Sequence, residues 1–276
     1  MKLNSMDSLG DRMKSYEALE TSRVFMSGLP VIVRIDGKNF HTYTKGFERP
    51  FDFRMKVAML ETTKRLVEET NAVTGYTQSD EITLVLPDDR PILFEGRIFK
   101  LVSFLASLAT MTFNRSIAYE QKRYATFDCR CFQVPNRAEA VNCLIWRELD
   151  AIKNSVSALA QKYFSHRQLE GKNSDDKKAM LAEKGVNWAE LEPYFRKGSF
   201  VRRRVFTRKF TAEELQNLPP KHNARLNPDT LITRSEMDVV NYPYYIKDIQ
   251  NRVDVIYNDA PPCLVERKAT DEVQGI

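Results

Sequence analysis

Val31-Ile32-Val33-Arg34-Ile35-Asp36-Gly37-Lys38-Asn39-Phe40-His41 is the stretch on which the reading of this chain turns. Its apolar residues, Val31, Ile32, Val33 and Ile35, form a short run that stops at Asp36-Gly37. Such a run predicts a buried strand that delivers a carboxylate to the edge of a sheet. A glycine beside that carboxylate leaves the backbone open to close approach by a ligand. The question for the rest of the chain is what completes the site that Asp36 begins.

Outward from that strand, residues 8–20 carry Leu9, Met13, Tyr16 and Leu19 at helical spacing. After a loop punctuated by Gly46 and Pro50, a helix is expected from Pro50 to about Thr70, with Phe53, Val57, Leu60 and Val67 on one face. Residues 72–77 and 81–86 read as two strands joined by the tight turn Gln78-Ser79-Asp80-Glu81. A long helix is expected from Leu93 to Tyr119, then a strand over 125–134. The order strand, helix, two strands, helix, strand is the split β-α-β-β-α-β pattern, an antiparallel sheet with two helices on one face. Residues 137–165 read as a further helix, 167–176 as a polar loop, 176–184 as a short helix, 212–235 as a loop, and the charged tail after Pro262 as frayed. The fold class expected is therefore α+β. A palm domain at 1–135 is followed by a C-terminal α+β extension at 136–276 that packs on it.

Composition bounds the function. With 42% hydrophobic and 29% charged residues, the chain can bury a core and is not of disordered type. No apolar run is long enough to span a membrane. The N-terminus lacks an apolar signal core, so a cytoplasmic protein with no membrane partner is expected. Cys129, Cys131, Cys143 and Cys263 contain no CxxC pair, which predicts reduced thiols rather than a zinc site; Cys129 and Cys131 would share one face of a strand. The net charge of +5 permits an anionic partner without requiring one.

Three groups of residues carry chemistry. Asp36 and Asp80 sit on neighbouring strands in the split pattern. Two carboxylates and the Gly37 carbonyl are hard oxygen donors suited to Mg²⁺. A pair of such ions can activate a hydroxyl and steady a leaving oxygen. Glu81 is adjacent, but in a strand it points away from Asp80 and ranks second as a catalytic candidate. Each acid taken alone reads equally as a turn or strand-end residue; the pair is what points to function. The second group could hold a triphosphate: the backbone of Gly37, Lys38, Asn39, Phe40 and His41, and the cations Arg49, Arg97 and Lys100, the last two sharing a helix face. The third is Trp146, Arg147, Asp150 and Asn154, a polar stripe on the 137–165 helix that reads either as surface ion pairing or as a second nucleotide or RNA contact. The stretch 196–209 adds Arg196, Lys197, Arg202, Arg203, Arg204, Arg208 and Lys209 with no acid, interleaved with Phe200 and Phe206, and can suit RNA or a half-exposed strand.

With these residues in place, the chain resembles the tRNA-His guanylyltransferase family, the 3′-to-5′ nucleotide polymerases. The matching pieces are Arg34 through His41, Arg49-Pro50 with Asp52 and Arg54, Tyr76 with Gln78-Ser79-Asp80-Glu81, Trp146-Arg147 with Asp150 and Asn154, and Tyr194 through Gly198. They occur in family order and cover most of residues 25–200. The resemblance implies a palm like that of polymerases and nucleotidyl cyclases. It implies two Mg²⁺ at Asp36, Gly37 and Asp80, and nucleotide contacts from 36–41 and Ser79-Asp80. It places Arg49, Arg97 and Lys100 where the family keeps basic residues for triphosphate. One segment departs. Eukaryotic members carry His-Ile-Asn-Asn-Leu-Tyr-Asn where this chain has Ile152-Lys153-Asn154-Ser155-Val156-Ser157-Ala158. That aligns the chain with the guanylyltransferase-like proteins of bacteria and archaea.

The resemblance thus implies template-directed repair of tRNA 5′ ends, with ATP or GTP activating the end and a nucleoside triphosphate added to it. Single-G addition to tRNA-His is the alternative. A nucleotidyl cyclase, or a tRNA-binding module without catalysis, are rivals of other classes. A homotetramer is expected on resemblance alone.

Overall fold

The computed structural model describes residues 8–117, 123–227 and 229–265; the tail expected to be frayed lies almost wholly outside them. In chain order the elements are α1 (Ser8–Thr21), β1 (Val31–Gly37), the single turn α2 (Phe40–Tyr43), α3 (Phe53–Thr70), β2 (Thr74–Gln78), β3 (Glu81–Leu86), α4 (Ile98–Ser116) and β4 (Phe127–Gln133). Then follow α5 (Arg137–Tyr163), α6 (His166–Leu169), α7 (Ser174–Glu183), α8 (Pro193–Lys197), β5 (Ser199–Lys209), α9 (Ala212–Asn217), α10 (Asn223–Leu226), β6 (Leu231–Val240) and α11 (Arg252–Asn258). The strands form one antiparallel sheet in the order β4-β1-β3-β2-β5-β6. Its first four strands are the split β-α-β-β-α-β arrangement expected from the sequence, and the fold is α+β.

Alternation along β1 sorts the two faces of the sheet. Val31, Val33 and Ile35 are buried with Met59 and Leu66 of α3 and Leu101, Leu105 and Phe113 of α4. Ile32 points the other way, into a second core with Tyr76, Val85, the α5 residues Ala140, Val141 and Leu144, and Ile256 of α11. Arg34 and Asp36 follow Ile32, so they stand on the α5 face. Cys129 and Cys131 on β4 face α3 and α4 with their sulfurs 3.9 Å apart, both as free thiols.

Several expectations about elements are corrected. The first long helix begins at Phe53, not Pro50, because Asp52 accepts hydrogen bonds from the N–H groups of Arg54 (2.9 Å) and Met55 (3.4 Å) and caps it. Its buried stripe is not the one built on Phe53 and Val57, which are 59% and 37% exposed. The stripe is Ala58, Met59, Thr62, Thr63, Leu66, Val67 and Thr70. Three threonines enter it because each hydroxyl donates to the carbonyl four residues back, at 2.7 Å. A polar residue satisfied in that way is invisible to a hydrophobicity reading. The second long helix starts five residues later than expected, at Ile98, because Phe94 and Glu95 adopt left-handed backbone at φ +56°. Its expected end near Tyr119 lies outside the described residues. The stretch 212–235, read as a loop, holds α9, α10 and the first half of β6.

Close approach requires glycine at positions 37, 75 and 198, the first and last of them at the site. A Cβ on Gly37 would fall 2.2 Å from the Phe40 ring, and one on Gly198, at φ +77°, would fall 2.5 Å from the Tyr76 hydroxyl. That hydroxyl donates to the Lys197 carbonyl at 2.7 Å, pinning α8 against β2.

The Asp52 cap generates a stability prediction. Its carboxyl is held down at about 2 chiefly by the Arg54 guanidinium, below the ordinary 3.8. Asp52→Ala should cost about 1–2 kcal/mol in urea unfolding at pH 7. A depressed folded pKa gives stability that is present above the ordinary value and lost as pH falls through the folded one. The gap between wild type and variant should therefore narrow as pH drops from about 4 to about 2.

Candidate active site

The end of β1 brings three carboxylates into one row. Asp36 pairs with Glu81 on β3 and with Asp128 on β4, and directly paired residues share a sheet face. Burial, and then the charges of Glu81 and Asp128, lift the Asp36 carboxyl above the usual range. Asp80 occupies the turn between β2 and β3. Its carbonyl accepts from the Gly37 N–H at 3.1 Å, which ties the turn to the end of β1. Burial pushes the Asp80 carboxyl up to about 6 against the opposing hydrogen bond from Ser79 Oγ (3.0 Å), with the charges of Asp36 and Glu81 adding to the rise. Among the described residues no cluster of three or more His, Cys, Asp and Glu side chains is formed for a metal. The donors that the sequence singles out are two carboxylates and the Gly37 carbonyl. Both acids are lifted by burial and by neighbouring negative charge, and a divalent cation bound between them would relieve both. The residues fit Mg²⁺.

Glu81 lies in β3, as expected, and points to the α5 face, beside Asp36. Its two oxygens face Arg34 Nε (3.1 Å) and Arg147 Nη2 (2.5 Å), and Gln78 Nε2 donates at 2.9 Å. Arg147 also reaches Asp150 at 2.8 Å, and Asn154 Nδ2 donates to Asp150 at 3.2 Å. The polar stripe on α5 is thus one ionic chain running from the sheet to Asn154. Glu81 is engaged by two cations and is not poised as a free base. Arg147, 5% exposed, is a structural partner of Glu81 rather than a surface contact for RNA.

Asn154 opens into a cavity of about 240 Å³ between α3, α5, α8 and the Asp80 turn. Arg49, Phe51, Lys56, Gln78, Ser79, Ser155, Ala158, Tyr194 and Phe195 also line it. Three sequence candidates, Arg49, Ser79 and Asn154, meet there from three distant segments. Lys56 and the stacked rings of Phe51 and Phe195 (centroids 5.0 Å apart, 18° between planes) were not foreseen. Lys56 lies 4.8 Å from the Phe53 ring centroid and pairs with Glu192. Its only signal in the sequence was its place one turn into α3.

The proposed phosphate cradle is half spent. The Gly37 N–H serves Asp80, and the Lys38 N–H donates to Thr126 O at 2.8 Å. Asn39 adopts left-handed backbone at φ +55° and turns the chain into α2. The N–H groups opening that turn, Phe40 and His41, have no acceptor within the helix. The Phe40 ring is buried against Phe113 and Phe127, so only its backbone can meet a ligand. The exposed His41 ring bonds the Thr42 hydroxyl at 3.0 Å.

Arg97 and Lys100 are corrected outright. β3 ends at Leu86, opposite Val31, so α4 begins at the far end of the sheet from Asp36. Both cations line a separate hollow with Glu17, Thr21 and Val24. Within the basic run at 196–209, Lys197 is corrected. Lys197 is buried, 4% exposed, with Nζ donating to the carbonyls of Tyr242 (2.7 Å) and Tyr244 (2.8 Å) and lying 3.9 Å from Glu148. Arg196 donates to Ala189 O at 2.7 Å. Arg202 pairs with Asp259, Arg204 with Glu236, Arg208 with Glu214 and Lys209 with Asp229, while Arg203 reaches Ser235 Oγ at 3.2 Å. For Arg202, Arg204 and Lys209 the neutralising acids lie twenty or more residues away, so the run looked uncompensated in one dimension.

Comparison with known proteins gives a consistent picture. Residues 10–135 match the family model described as Thg1: tRNAHis guanylyltransferase. The tRNA(His) guanylyltransferase of Eremothecium gossypii is 30% identical over 196 residues, which span 63% of this chain and 82% of that protein. A bacterial tRNA(His) guanylyltransferase (Thg1)-like protein solved with ATP is 40% identical, with TM-score 0.67 over 71% of this chain and 88% of its own. Another, solved with GTP, is 32% identical, with TM-score 0.68 over 87% and 94%.

Asp80 generates a prediction for the metal-free protein. A carboxyl whose folded pKa is raised contributes stability that is complete below its ordinary 3.8 and lost as pH rises through about 6. In magnesium-free urea titrations, Asp80→Asn should remove the loss that wild type suffers between pH 4 and 6. It should be at least as stable as wild type at pH 7.5.

Proposed function

The chain belongs to the Thg1 family of tRNAHis guanylyltransferases, which are nucleotidyltransferases, and from that membership we propose that it adds nucleotides to the 5′ end of tRNA in the 3′-to-5′ direction, copying the opposite strand. The observation that carries this reading is the meeting of Arg49, Ser79 and Asn154 around a cavity of about 240 Å³ at the turn that carries Asp80, whose carboxylate accepts from Ser79 Oγ. The bacterial relatives solved with ATP and with GTP support nucleotides as its occupants.

In this proposal a 5′-monophosphate is first activated. A phosphate oxygen of the RNA end bonds to the α-phosphorus of ATP or GTP, and pyrophosphate leaves. The 3′-hydroxyl of a second nucleoside triphosphate then attacks the activated 5′ phosphorus and the nucleoside monophosphate leaves. Both steps are phosphoryl transfers that depend on positioning and charge. When bound, Mg²⁺ held by Asp36, Asp80 and the Gly37 carbonyl supplies Lewis-acid stabilisation of the phosphate oxygens. The residues of the chain do the rest. Arg49 and Lys56 offer cations to the phosphates in the cavity. The N–H groups of Phe40 and His41 offer donors at the end of β1. The Gly37–Asp80 hydrogen bond holds the two carboxylates in register. A homotetrameric state is part of the same proposal.

The departure at 152–158 favours repair over addition of one G. Asn154, Ser155 and Ala158 of that segment lie on the cavity wall. Single-G addition remains the second reading because the fungal relative carries that name.

A 5′-truncated tRNA transcript, labelled nucleotides and Mg²⁺ provide the test. Wild type should extend the 5′ end only with nucleotides complementary to the facing strand, and addition of G alone, only to tRNA-His, would sink the repair reading. Asp36→Asn and Asp80→Asn should each lower turnover on the order of 10³-fold, the scale of losing one preorganised charge stabiliser. Arg49→Ala should raise KM for ATP about ten-fold, whereas Arg97→Ala with Lys100→Ala should leave it within about two-fold of wild type.

A further inference from the structure

Trp146 takes no part in the chemistry above. It stands on α5 just before Arg147 and is 50% exposed. The Arg147 guanidinium carbon lies 4.4 Å, and that of Arg34 5.3 Å, from its ring centroid. The chain's other tryptophan, Trp188, is 7% exposed and donates its indole N–H to Ser155 at 3.1 Å. An indole half open to water, backed by two cations, has its π-system polarised and part of its surface still free.

Its place along α5 gives that surface a meaning. Trp146, Asp150 and Asn154 recur every four residues, so they form one line on the helix, about 12 Å long. Asn154 ends the line in the cavity. Asp150, Arg147 and Glu81 hold the middle, beside Asp36. Trp146 ends it on the opposite side of the carboxylates from the cavity. There the neighbouring strand β4 offers Arg130, 3.9 Å from Asp36, and the partly exposed Phe132 on the same sheet face as Ile32.

Transfer between two nucleotide reactants needs two places for bases, and the cavity supplies one. We propose that Trp146 is the other: a stacking platform for the terminal base of the RNA strand whose 5′ end lies at Asp36 and Asp80. This rests on the nucleotidyl-transfer reading above. Stacking suits the site because the cations around it are all answered by acids. Arg34, Arg130 and Arg147 face Asp36, Glu81, Asp128 and Asp150, so no net attraction for phosphate remains. An aromatic face binds any base regardless of sequence, as a templated enzyme requires of the end it extends.

Affinity for a 5′-truncated tRNA transcript and for ATP, measured separately in wild type, Trp146→Ala and Trp146→Phe, tests the platform. Trp146→Ala should weaken tRNA binding about ten-fold and leave ATP affinity unchanged, and Trp146→Phe should recover most of the loss. With Trp188→Phe as background, the Trp146 emission should change on adding tRNA and not on adding ATP. Unaltered tRNA affinity in Trp146→Ala, or equal losses for tRNA and ATP, overturns the proposal and leaves the ring as a cover over the Arg34–Glu81 pair. Should wild type extend tRNA while Trp146→Ala binds it normally, only the platform is lost. Should wild type extend nothing while Trp146→Ala still loses tRNA affinity, the platform stands and the transfer reading falls.

Discussion

Glu81 lies between the guanidiniums of Arg34 and Arg147, and much of the site depends on that contact. It joins β1, β3 and α5 through one carboxylate. The Glu81 and Arg147 side chains are 13% and 6% exposed, so their desolvation offsets much of their attraction. Removing one partner is another matter, because the remaining charge is left buried and unpaired, at about 3–5 kcal/mol. The contact is therefore better understood as fixing a geometry than as adding stability. It sets the height of α5 over the sheet, and with it the position of Asn154 at the cavity. It also keeps a negative charge beside Asp36, which helps lift that carboxyl and favours a bound cation.

The next residue on α5 makes the complementary connection. Glu148 accepts from the Ile246 N–H at 2.8 Å and lies 3.9 Å from Lys197 Nζ; burial pushes its carboxyl up to about 7. The same burial lowers the Lys197 ammonium below its usual range. Two more Lys197 bonds go to the carbonyls of Tyr242 and Tyr244. Adjacent residues of one helix thus anchor it to the palm strands through Arg147 and to the C-terminal chain through Glu148. Because Lys197 ends α8, this second anchor also positions Tyr194 and Phe195 on the cavity wall. The C-terminal chain is part of how the site is built, since β5 extends the palm sheet and α8 closes the cavity.

What the sequence disclosed follows from which interactions are local. The apolar run of β1 and the Ser79-Asp80 turn are written in consecutive residues, so the four palm strands and the places of Asp36 and Asp80 on them could be read directly, whereas the first half of β6 was read as loop. Arg97 and Lys100 were misplaced because spacing says which face of a helix they share, not which end of the sheet the helix starts from. Lys197 was misread because its partners, Glu148 and the carbonyls near Tyr242, come from other parts of the chain. The threonines of α3 were missed because their hydroxyls are satisfied by their own helix. Lys56 was passed over because a lone lysine on a helix has no pattern; only folding sets it beside Arg49 and Ser79.

The wall formed by 151–158 bears on which base the cavity can distinguish. Discrimination by a protein needs polar groups free to bond a base edge, and it is strong when the wrong base leaves those groups unpaired. Here Ala151 and Ala158 offer none. The Ser155 hydroxyl lies 2.8 Å from the Arg196 carbonyl and 2.9 Å from that of Ile152, and accepts from the Trp188 indole, so it is already engaged. Asn154 has one amide hydrogen committed to Asp150. Against the three asparagines of the eukaryotic pattern, one partly used amide remains on this wall. On the templated reading proposed above, a wall with so little to say about the base leaves the choice to pairing with the opposite strand.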